Sequence, residues 1–142
     1  MRSHCLTLAV VVLAGLSRAP EAAAQGMLAQ AAERAQRDWL EHDMGGLVSG
    51  ADTVRLQLPG LTQSATVGPA QAARLLERHV QATREVSFDL VSVRPAGKDR
   101  GYAEGRRHYV VSGTAEERQE TVFLGFEQIG GQWCVREVRI VP

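Results

Sequence analysis

The sequence predicts an α+β domain in which a curled antiparallel sheet packs against helices from the front of the chain. Three observations predict this. Apart from one short strand, apolar residues recur at three- and four-residue spacing as far as Val80. From Val86 onward they recur at two-residue spacing, as half-buried strands do. The late strands are separated by short glycine-containing turns, which join antiparallel neighbours. Helices first and hairpin strands after make an α+β order, not a doubly wound parallel one.

Each element has its own grounds. Leu28 to Asp43 reads as a helix, with Leu28, Ala31, Ala32, Ala35, Trp39 and Leu40 on one stripe and charged residues between them. Gly45-Gly46 is the expected stop, and Leu47-Val48 a single helical turn. Thr53 to Leu58 alternates, with Val54, Leu56 and Leu58 on one face, until Pro59-Gly60. Gly68-Pro69 opens the second helix, because proline suits a first helical position. Its stripe is Ala72, Leu75, Leu76, His79 and Val80.

Val86 to Leu90 alternates with Phe88 inward and Asp89 toward solvent, and Val91 and Val93 continue on the other face. Tyr102–Ser112, Gln119–Ile129 and Gln132–Val141 complete a four-stranded meander, which must curl and be covered by the helices. In the last strand Trp133 and Val135 share one parity, while Val138 and Ile140 share the other. An extra residue near Arg136-Glu137 puts all four on one face and keeps Arg136, Glu137 and Arg139 out of the core, so a β-bulge is expected there.

The 142 residues suit one domain, with 44% hydrophobic and 23% charged residues, which excludes a disordered or low-complexity chain. Sixteen basic and sixteen acidic residues leave no surplus of positive charge for a nucleic-acid partner. Residues 1–24 read as an export signal. Arg2 and His4 precede the apolar run Cys5–Leu16, and Ala22-Ala23-Ala24 supplies a small-residue cleavage site. That run of twelve residues is too short for a stable membrane anchor, which needs ~20. Cleavage leaves a single domain, residues 25–142, exported to a periplasm or medium. It keeps one cysteine, Cys134, so no internal disulfide holds it together.

Three stretches carry a family resemblance. They are Asp43-Met44-Gly45-Gly46-Leu47, Val54-Arg55-Leu56-Gln57-Leu58-Pro59-Gly60, and the closing run from Gly131 to Ile140 with its early Trp133. In these the chain resembles the nuclear transport factor 2-like superfamily (cystatin-like cone, SnoaL-like), and in particular its small exported bacterial members. The resemblance implies a cone-shaped α+β barrel with a pocket inside, and covers nearly all of the chain after residue 24. It implies an exported domain, non-catalytic, binding a small apolar molecule or a protein partner through its cone or its sheet face, with a homodimer through the sheet. The alternative it leaves open is a cofactor-independent isomerase, cyclase or dehydratase.

The candidate pocket-lining residues are Trp39, Leu56, Phe88, Tyr109, Phe123 and Trp133, with Val54 and Val135 beside them. An acid–base enzyme would need a carboxylate or histidine in the pocket. Glu104 and His108 are the candidates, on one face of one strand and ~13 Å apart. The opposite face, Ala103, Gly105, Arg107, Tyr109 and Val111, is the more apolar, with Arg107 its only charge. It is therefore expected inside, with His108 outside. His79, in an apolar stripe, reads as a core histidine, and Cys134 as a small buried residue.

Arg106-Arg107 with Arg136 and Arg139 could form a basic strip for an anion, or a solvated sheet face. No zinc-ligand spacing and no nucleotide-binding glycine motif occurs, so neither a metal nor a cofactor is expected. If the export signal is processed as expected, N-terminal sequencing of protein from the producing cell will begin at Gln25, within a few residues. Cytoplasmic protein that keeps Met1 would overturn the assignment.

Overall fold

Helix α1 (Ala19–Leu40) lies along the concave face of a sheet, packed mainly against one edge strand, the one that carries Phe88. The computed structural model describes residues 19–142, so the apolar run of the expected export signal lies outside the described residues. Leu28, Ala31, Ala32, Ala35 and Trp39 are buried, as their spacing predicts. The alanines let the helix come close, and the sheet beneath matches them. A Cβ at Gly101 would strike the side chain of Leu28, and one at Gly105 would strike the ring of Phe88.

The helix stops earlier than expected. It ends at Leu40, and His42 takes the left-handed conformation (φ 55°) that reverses the chain. Asp43 then caps α2 (Met44–Leu47), its carboxylate accepting the Gly46 N–H at 2.8 Å. Gly45-Gly46 therefore lies inside a helical turn and is not the stop.

The strands are β1 (Val54–Gln57), β2 (Ala65–Val67), β3 (Thr83–Pro95), β4 (Arg100–Val111), β5 (Glu117–Ile129) and β6 (Gln132–Val141). Their order across the sheet is β2-β1-β6-β5-β4-β3. Helix α3 (Pro69–Val80) carries the chain from the β2 edge to the β3 edge. The four long strands form the expected antiparallel meander. Two features differ. Strand β2 has three residues, too few for a periodicity to be read, and β1 pairs with β6 in parallel, so the sheet is mixed. The sheet is curled but not closed into a barrel, with β2 and β3 as its two edges.

The bulge in β6 is where the phase fault requires it. Gly125 faces Glu137 and Phe126 faces Val135, which leaves Arg136 as the extra residue. Trp133, Val135, Val138 and Ile140 are all buried as a result. Two further shifts in β3 leave Val86 and Val91 without a partner, 51% and 49% exposed. The second returns Val93 to the inner face beside Leu90, against the expectation that Val91 and Val93 share the outer one. Bulges on an edge strand also discourage pairing with another chain.

The contact of Phe88 with Gly105 sets how closely β3 and β4 curl under α1. Gly105→Ala is expected to lower stability by ~1–3 kcal/mol through overpacking. Denaturant unfolding checks this, and an unchanged midpoint would mean that the ring moves aside freely.

Candidate functional site

The concave face holds charge as well as apolar packing. Arg107 is completely buried, and its guanidinium meets a partner in every direction. Its Nε and Nη2 donate to the Glu85 carboxylate at 2.6–3.0 Å. Its Nη1 donates to Glu120 Oε2 at 2.8 Å, and Nη2 also donates to Thr83 Oγ1 at 2.5 Å. The Tyr109 ring lies 4.0 Å from the guanidinium carbon and the Trp39 ring 5.7 Å. Both distances suit a cation over an aromatic face.

Two imidazoles complete the cluster. His42, just after α1, lies 3.0 Å from Glu85 Oε1 through Nε2. His79, on α3, lies 3.1 Å from Glu120 Oε2 through Nε2. An ionised carboxylate only accepts, so Nε2 carries the proton in both rings. One guanidinium thus serves two carboxylates, and each carboxylate also meets an imidazole.

The electrostatics follow from this packing. Burial pushes the Glu120 carboxyl up, but hydrogen bonds from His79 and Arg107, with their charges, pull it below its ordinary value. Burial opposes the charge of Arg107, and Glu85 and Glu120 more than restore it, so it titrates above the usual arginine range. Burial and then the Glu120 charge push the Tyr109 hydroxyl up. Both carboxylates are bound by the guanidinium.

Sequence reading placed Arg107 on the inner face but did not assemble this cluster. The available signal was a lone charge at inward parity on β4 and another, Glu120, in phase with Val122 and Leu124 on β5. Glu85 was not legible, because the shift at Val86 changes its parity relative to Phe88.

The other candidates fall on both faces. Trp39, Leu56, Phe88, Tyr109 and Trp133 are buried. Phe123 is a correction: it lies on the outer face, opposite Glu104 and Arg139 in register, with the Arg139 guanidinium 4.3 Å from its ring. It alternates with buried Val122 and Leu124, so it cannot share their face. His108 and Glu104 are half-buried on that same outer face, opposite Gln119 and Phe123. Arg106 and Arg107 are neighbours on a strand and point to opposite faces, so the imagined strip loses its buried member.

The cone itself is filled. The Trp39 and Phe88 rings pack at 5.3 Å between centroids, beside the guanidinium. Open volume lies to the side of α1. A groove of about 370 Å³ runs between α1, the α2–β1 turn and the start of β6. Phe126, Trp133 and Val135 form its floor, and Gln30, Arg34, Asp38 and Gln132 its rim. Burial, then the nearby charges of Asp43 and Glu41, push the Asp38 carboxyl up. A second cavity of about 620 Å³ lies across Trp133, walled partly by Pro20, Glu21 and Ala24.

No family model matches the chain, and no curated protein matches it in sequence. Solved structures match it in shape. It is similar to a ketosteroid isomerase-like protein from Erwinia carotovora atroseptica, with a TM-score of 0.68 over 82% of this chain and 93% of that one, at 12% identity. The fold is nuclear transport factor 2-like. An NTF2-like protein of unknown function from Pseudomonas putida matches with a TM-score of 0.64 at 19% identity, over 84% of this chain and 86% of that one. A DUF4783 family protein from Bacteroides ovatus matches at 0.63 and 13% identity, over 75% and 90%. An NTF2-like scaffold at such identities carries no activity with it.

The cluster can be tested on its own. Arg107→Met leaves two buried carboxylates without their cation and is expected to cost ~3–5 kcal/mol of stability. The acid limb follows from Glu120. Its folded value is lowered, so its stabilisation is complete above ~4.3, the ordinary glutamate value, and is lost as pH falls through the folded value. In Glu120→Gln the fall in stability between about pH 5 and 3 should therefore be shallower. Urea unfolding at stepped pH measures it, and an identical slope would mean Glu120 does not carry the acid limb.

Proposed function

We propose that the chain is an exported, non-catalytic domain that binds a small molecule in the groove between α1 and β6. One observation carries this reading. The cone is packed shut by Trp39, Phe88 and Arg107, while a groove of about 370 Å³ stays open beside it. That volume is within the usual range of ligand sites.

The expected processing supports the choice of groove. Every lining residue lies from Met27 onward, so the groove is common to the full and the processed chain. The larger cavity would lose Pro20, Glu21 and Ala24. An apolar floor with a mixed polar rim suits a compact ligand that has an apolar body and one polar end.

A second reading, a cofactor-independent isomerase, cyclase or dehydratase, has its own support. It rests on the two carboxylate–imidazole pairs, His79–Glu120 and His42–Glu85. Such pairs are the parts of a general base. Against it, Arg107 holds both carboxylates.

One set of variants separates the readings. Gln30→Trp and Gln132→Trp place bulk on the groove rim at exposed positions. Compact amphiphiles that raise the melting temperature of the wild type should bind them at least ~10-fold more weakly, a difference of ~1.4 kcal/mol. Equal binding in both variants would overturn the groove assignment. An acid–base activity that falls ~10²–10⁴-fold in His79→Gln while groove binding persists would favour the enzyme.

A further inference from the structure

The outer face of the sheet has an opening of its own, across the sheet from the groove and the cluster. One row of residues crosses it in register, from Thr66 on β2 through Arg55, Glu137, Gly125 and Tyr102 to Arg94 on β3. Gly125 interrupts that row. A Cβ there would come within 3.0 Å of Glu137 Cβ and 3.5 Å of the Tyr102 ring, so the position stays bare. The result is a depression of about 280 Å³ with the Gly125 backbone as floor. Tyr102 forms one wall and is 49% exposed. Arg55, Arg100, Arg136, Glu127 and Glu137 supply the charges around it.

These charges are not all matched. Arg136 is held by Asp52 at 2.6 Å and faces Glu127 at 3.6 Å. Among the described residues, Arg55 and Arg100 make no ion pair within 4.0 Å, although Arg55 is opposite Glu137 and Arg100 opposite Glu127 in register. Two guanidiniums without a pairing carboxylate therefore flank an exposed phenol ring over a bare floor. A guanidinium presents parallel donors to a carboxylate, and the ring offers a stacking face. Glu137, also without an ion pair, weighs against a ligand of high negative charge.

We propose that this depression binds a single-ring aromatic carboxylate, its ring against Tyr102 over Gly125 and its carboxylate on Arg55 and Arg100. The volume is ample for a ring of this size. The β6 bulge builds the site: it turns Arg136 aside to Asp52 and sets Glu137 against Gly125. The proposal does not rest on the groove reading. Phe126 borders both openings, but the side chains that the proposal uses, Arg55, Arg100 and Tyr102, do not line the groove.

Benzoate, cyclohexanecarboxylate and benzylamine are the probes, titrated into the full chain at low salt and followed by amide chemical shifts. Benzoate should move the amides of Gly125 and Tyr102, saturating at millimolar concentration. Benzylamine should not move them. In the Arg55→Gln, Arg100→Gln double variant, whose changes are at exposed positions, benzoate affinity should fall at least tenfold. Tyr102→Leu should remove the preference for benzoate over cyclohexanecarboxylate. Binding of groove ligands should be unchanged in both. No shift at Gly125 with benzoate at about 20 mM, several times the millimolar affinity expected, overturns the proposal. So does a double variant with wild-type affinity, or equal binding of benzylamine. Should the double variant unfold, Arg55→Gln alone must still lose several-fold, and wild-type affinity there overturns the proposal equally.

Discussion

Burying an arginine costs several kcal/mol unless its charge and its donors are met, and the concave face is arranged around meeting that demand for Arg107. Thr83 and Glu85 come from the first residues of β3, Glu120 from β5, and Trp39 from α1. His42 and His79 then share the oxygens that Arg107 already meets, Glu85 Oε1 and Glu120 Oε2, and tie the ends of α1 and α3 to the sheet. The cluster is thus where the helices and the meander are held in one relation. Its value is specificity of arrangement as much as stability, because a guanidinium fork accepts its partners in few geometries.

The same close approach decides where the molecule has room. Alanines on α1 and the small residues Gly101, Ala103 and Gly105 on β4 bring helix and sheet together. Trp39 and Phe88 then fill the space between, and no side chain on the outer face can serve chemistry inside. Free volume is displaced to the flank of α1, where the turn after α2 and the start of β6 stand apart from the helix. The function proposed on this NTF2-like frame is accordingly recognition at a groove. The buried charges hold the walls, since their carboxylates are already occupied.

The outer face follows another logic. A single extra residue in β6 turns Arg136 and Glu137 outward and leaves Gly125 opposite them. Tyr102 leans over that glycine and protects part of its backbone, while the rest stays open. A feature that rescues the phase of the apolar face therefore also sculpts the polar one.

Much of the fold was legible in the residues. The periods of α1, α3 and the four long strands are local properties, and so was the phase fault that demands the bulge at Arg136. The inward set of β4, with its small residues and Tyr109, was legible too, because alternation forces every second side chain to one face. What was not legible depends on pairing. Glu85 faces inward only because β3 slips by one residue at Val86, and nothing in a single strand records its partner's register. Phe123 was expected inside because it is aromatic, yet its parity with Glu104 and Arg139 across the sheet puts it outside. The parallel pairing of β1 with β6 joins segments far apart in the chain. Period and parity were thus set by the sequence itself. The meeting of Arg107 with two carboxylates, and the filling of the cone that follows, was decided only by tertiary structure, because a buried charge is settled by partners that folding brings from other strands.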